Sequence, residues 1–214
     1  MGDGFSALSD NQRAQYNAVL QKFGQDPAAM KQGPLDTADF GGNLVISSDS
    51  FESHVPPVLV PFTSMAHLKS MIGVPDAHYQ NGGYADTQVP YPPPLPADRA
   101  TFLKDTKNIC DLRYHLTGDE SETLLQAAHA YMQGNSAKVA DYEPLLDAHF
   151  APGALAFVAA PSLTVQNGQT VTITPSSTPI VLNYGAVTVI GTGQIVVNGA
   201  ALTMIAQTFT AQPA

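Results

Sequence analysis

From Ala148 to Ala214 the chain runs 67 residues without Lys, Arg, Asp or Glu, and His149 is the only side chain there that titrates near neutral pH. A stretch of that length stays in water only if Thr, Ser, Asn and Gln hydrate its outer faces, or if something covers it. The 27 charged side chains all lie in residues 1–147, nine basic against eighteen acidic, so the net charge of −9 belongs to that portion. Its few cations are scattered through an acidic background, whereas phosphate recognition needs them clustered. Nucleic acid is excluded as an expected partner.

Inside the neutral stretch the apolar period is two. The pairs Leu155/Phe157, Leu163/Val165, Val171/Ile173, Ile180/Leu182, Val187/Val189, Ile195/Val197 and Leu202/Met204 begin 8, 8, 9, 7, 8 and 7 residues apart. Turn residues such as Asn167-Gly168 and Gly191-Thr192-Gly193 separate them. Seven short strands at nearly fixed spacing predict an all-β part over 152–214, each strand with one apolar and one polar face. Two architectures fit: a sandwich or barrel, or a short β-solenoid with three strands per coil.

Residues 1–151 read differently. Ser9 and Gln12 have capping-box spacing ahead of a helix over 9–24, and Gly24 stops it. Leu44–Ile46 and Val58–Val60 are short extended pieces, and a helix over 63–72 ends at Gly73. Further helices are expected over 97–116, over 119–133 with Asp119 and Glu122 as its capping pair, and over 136–150, broken by Pro144. The fold class expected is therefore α+β: a mainly helical N-terminal part, 1–151, followed by an all-β C-terminal part.

Lys on an edge strand discourages pairing with a foreign strand, and a neutral strand set lacks that protection. From Gly185 onward there is neither a charge nor a proline before Pro213. That segment is expected to meet another molecule, through Tyr184, Val187, Val189, Ile195, Val197, Leu202, Met204 and Phe209. The partner expected is a further copy of the chain or another protein.

The chemistry-bearing residues form no recognised catalytic pattern. GFSAL and GNSAK lack the second glycine of a nucleophile elbow. No HExxH, phosphate loop, dinucleotide fingerprint or calcium loop occurs. His115, His129 and His149 sit on three successive predicted helices and are the candidates for a metal or general-base site. Tyr79, Tyr84 and Tyr91, set in a Gly/Pro-rich loop, are candidates for stacking on a ligand. Cys110, the single cysteine, reads as a buried thiol. No cofactor is implied. The N-terminus has no signal-peptide pattern and no apolar run is long enough for a spanning helix, so the chain is expected to stay in the cytoplasm or leave by a signal-less route.

Three functions follow. The first is a non-enzymatic assembly or attachment protein acting through its β part. The second is a pore-forming toxin component, with residues 170–191 as a membrane-inserting hairpin; only this reading involves a membrane. The third is a metal-dependent hydrolase built on the helical histidines.

Overall fold

The computed structural model describes residues 5–28, 32–80, 86–96, 98–99, 101, 116–176, 178–199 and 202–214. Tyr84, Cys110, His115 and most of the helix expected over 97–116 lie outside them. The chain divides into two compact units, one made of residues 1–60 with 154–214, the other of residues 61–153.

The first unit begins with helix α1 (Asp10–Lys22). Ser9 Oγ accepts from Gln12 N–H, and the Gln12 side chain returns to Ser9 N–H, so the capping box read from sequence is formed. Gly24, at φ 70°, ends the helix in a conformation costly for other residues. Strands β1 (Leu35–Asp36) and β2 (Asn43–Ser47) follow, then β3 (Val58–Phe62). After the residues of the second unit come β4 (Gly153–Val165), β5 (Thr170–Thr174), β6 (Ile180–Ile190), β7 (Gln194–Val197) and β8 (Leu202–Gln212).

These strands form two sheets, β1-β4-β6-β8 with β3 beside β4, and β2-β5-β7. The ladders of β1 on β4, β4 on β6 and β6 on β8 are parallel, as are those of β2 on β5 and β5 on β7. From β4 onward the chain alternates between the sheets, so one winding adds one strand to each. Leu163 stands beside Val187, 24 residues on, and Val187 beside Phe209, 22 residues on.

This overturns the expected fold class. The molecule is mixed α/β, with parallel sheets interleaved with helices, not a helical part followed by an all-β part. Residues 35–47, assigned to the helical part, supply a strand to each sheet. Parallel pairing rules out an antiparallel sandwich, and each winding holds two strands rather than three. The seven predicted strands are five, because Leu155/Phe157 and Leu163/Val165 share β4, while Ile180/Leu182 and Val187/Val189 share β6. Pro161 and Gly185 lie at matching places inside those strands, where the inward-facing set shifts by one residue. Ala160 and Tyr184 face the core before the shift, and Leu163 and Val187 after it. A fixed period of two cannot encode that change.

The core between the sheets holds Leu35, Leu44, Ile46, Leu163, Val171, Ile173, Leu182, Tyr184 and Val187. The other face of the larger sheet is covered too. Phe23 stacks on Phe157 with ring centroids 4.6 Å apart, and Asn183 Nδ2 donates to Tyr16 O from α1. Ile180 to Val187 are therefore buried without interruption, the pattern of a strand covered on both faces. The single apolar face expected for each strand does not hold for β6.

The second unit contains α2 (Met65–Ile72), α3 (Ala77–Gln80), α4 (Gly118–Gln133), a 3-10 turn over Ser136–Tyr142, and α5 (Glu143–Phe150). Thr117 and Glu120 cap α4, in place of the expected Asp119 and Glu122. Pro144 sits in the first turn of α5, where its missing N–H costs nothing. Among the described residues, no helix is long and apolar enough to cross a membrane.

Candidate functional site

Parallel stacking turns the core into columns, one residue per winding. The column Leu35–Leu163–Val187–Phe209 is 2%, 0%, 0% and 61% exposed in that order. Ile46–Ile173–Val197 reads 0%, 0% and 43%. The residue type stays apolar while its cover disappears at the last winding. There β7 and β8 are the outermost strands of their sheets, and no described strand lies beyond either.

The opposite end of the smaller sheet is finished by the chain itself. His54 N–H donates to Val45 O at 2.9 Å, and His54 Nδ1 accepts from Val45 N–H at 3.1 Å. Ser53 Oγ accepts from Ser47 N–H at 3.1 Å, and the Phe40 ring stacks on the His54 imidazole. The outward hydrogen-bonding groups of β2 are thus occupied by the turn that follows it. Sequence reading missed this role for Ser53 and His54, because a turn that closes an edge has no composition of its own.

Of the eight interaction candidates, Tyr184 and Val187 are fully buried between the sheets and are not at a surface. Burial pushes the Tyr184 phenol far above its ordinary pKa. Val189, Ile195, Leu202 and Met204 are partly buried and pack against the core, while Val197 and Phe209 are exposed. The structure therefore gathers the candidates on and beneath one end of the winding. Residues 170–191, expected as a hairpin in the pore-forming reading, form β5 and β6 in different sheets.

The tyrosine loop makes internal contacts. Tyr79 donates to Gln133 O. Tyr91 donates to Asp86 Oδ2 at 2.8 Å and accepts from Asn135 N–H at 2.7 Å, with the Lys138 ammonium 4.8 Å from its ring. Burial and then the Asp86 carboxylate push the Tyr91 phenol up, against the Asn135 hydrogen bond, to about 12. Both rings fasten their loop to the end of α4. His129 is exposed on α4, and His149 packs edge-on to Phe150 at the end of α5. No group of three His, Cys, Asp or Glu suited to a metal occurs among the described residues.

One charged cluster had no sequence signal. Lys69, 8% exposed on α2, donates to Asp76 Oδ1 at 2.6 Å, Tyr131 O at 2.6 Å and Gly134 O at 2.7 Å. Asp76 also accepts from the Ser136 backbone and hydroxyl. Burial raises the Asp76 carboxyl, but the hydrogen bonds from Lys69 and Ser136 outweigh it and hold the group below its ordinary pKa. All three Lys69 protons are engaged, two of them by carbonyls at the end of α4, so the cluster joins helices.

No protein-family model matches this chain, and no curated protein or solved structure matches it.

Proposed function

We propose that this is a non-enzymatic assembly or attachment protein that binds another chain through the open end of its winding. The observation carrying this reading is the loss of cover along the core columns at Phe209 and Val197. The edge of β8, on which no described strand pairs, runs eleven residues without a charge or a proline, so it can accept a further strand by main-chain hydrogen bonds. Tyr79 and Tyr91, the described candidates for stacking on a ligand, serve packing instead, which is in keeping with this reading.

Sedimentation equilibrium of the whole chain against the Thr210→Lys variant tests the proposal. Thr210 is exposed on β8, so lysine there leaves the fold intact and places a charge on the edge. The wild-type chain is expected to associate at micromolar concentration and the variant at least tenfold more weakly. A wild-type chain that stays monomeric at millimolar concentration would defeat the reading.

A further inference from the structure

The geometry points to a second copy of this chain as the occupant, docked open end to open end about a two-fold axis, with β8 antiparallel to β8 of the partner. This deepens the assembly reading and rests on it.

The two ends of the winding are unlike. A head-to-tail stack would have to lay β7 of one copy against β2 of the next, where Val45 and Ser47 already bond to His54 and Ser53. An open end meeting its own kind needs no such site, and the two-fold closes on itself without forming a filament. Electrostatics favours the same arrangement. The chain carries −9, none of it on β7 or β8, so pairing strand to strand at this end sets no carboxylate of one strand against that of the other.

Symmetry then fixes direction. A two-fold perpendicular to the winding either lays each sheet on its own counterpart or lays the larger sheet on the smaller. The second option matches the eleven residues of β8 with the four of β7 and leaves most of β8 unpaired. The first pairs β8 with β8, and a two-fold that does so reverses the strand.

Register follows from the shift inside the strand. Leu202, Met204 and Ala206 continue the inward positions Ile180, Leu182 and Tyr184, whereas Phe209 and Ala211 continue Val187 and Val189. The inward set is even-numbered before Gln207 and odd-numbered after it. Directly opposed residues of an antiparallel pair point to the same side. The register that brings the largest inward side chains together opposes Met204 to Phe209 of the partner subunit and Leu202 to Ala211 of the partner subunit. On the outer side Ile205 then faces Thr208 of the partner subunit.

Register-specific cross-linking decides it. Two whole-chain proteins are made in a Cys110→Ser background, one with Ile205→Cys and one with Thr208→Cys, then mixed under mild oxidation beside sedimentation of the wild-type chain. In the proposed register the two thiols lie on directly opposed residues, within disulfide reach. Two copies of the same variant hold theirs about 10 Å apart along the strand, too far to bridge. The expected result is a dimer of 22.5 kDa chains and a disulfide in the mixture at least tenfold above either variant alone. A dimer with no preference for the mixture, or a ladder of larger species, overturns the two-fold register while leaving assembly through this end standing. A monomer at all concentrations overturns both.

Discussion

The ring of Phe23 lies nearly parallel to that of Phe157, 18° apart in plane and 4.6 Å between centroids. Phe23 caps α1 and Phe157 belongs to β4, so this stack fastens the N-terminal helix to the outer face of the larger sheet. Both rings are 2% exposed. Phe23→Ala is expected to destabilise the fold by about 3–4 kcal/mol, through lost burial and an unfilled cavity. Urea unfolding followed by circular dichroism measures it, and a loss under about 1 kcal/mol would contradict the packing.

Leu163 and Phe209 occupy the same column but differ in cover. Leu163→Ala should cost about 3 kcal/mol of monomer stability, whereas Phe209→Ala should change it by no more than about 0.5 kcal/mol. Association should respond in the opposite order. Chemical denaturation in dilute solution, paired with sedimentation at high concentration, separates the two effects.

Gly185 stands where β6 passes both its neighbour and the N-terminal segment. A Cβ there would meet Pro161 O at 2.6 Å and the Phe5 ring closer still. The backbone oxygen cannot step aside as a side chain does. Gly185→Ala is expected to lower stability by about 1–3 kcal/mol, read as a fall in thermal midpoint.

Tyr184 is 0% exposed, and its hydroxyl has no hydrogen-bond partner among the described residues. A buried hydroxyl left unpaired costs about 1–3 kcal/mol, so Tyr184→Phe should stabilise the chain by about 1 kcal/mol. A clear loss of stability on denaturation would show that the hydroxyl is bonded after all.

Lys69 and Asp76 give a pH signature. The folded Asp76 carboxyl holds its proton less firmly than the unfolded one, whose ordinary pKa is 3.8. Its contribution is therefore complete above about pH 3.8 and is lost as pH falls through the lower, folded value. Asp76→Asn should flatten that part of the stability-against-pH curve. Lys69→Met, which strands the carboxylate and two carbonyls, should cost about 3 kcal/mol near neutral pH. Denaturation across a pH series checks both.

Local signals were legible in the sequence because they act over a few residues. The capping box at Ser9 and Gln12 and the stops at Gly24 and Gly73 formed as expected. The strands after Pro152 were legible in their existence but not in their number or partners. Parallel pairing brings Leu44 beside Val171 and Leu35 beside Leu163, more than 120 positions away, and no local period records that. Glu120 rather than Glu122 caps α4 because the N-cap is Thr117, two residues before Asp119.

The sequence alone determined where charge is absent. That absence is a property of composition, and it holds whatever the chain folds into. Tertiary structure alone decided which neutral residues are covered. Tyr184 and Phe209 both stand among the expected interaction residues, yet one is sealed between two sheets and the other stands at an open end. The physical reason is that cover on a parallel column comes from the next winding, and Phe209 has no described winding beyond it.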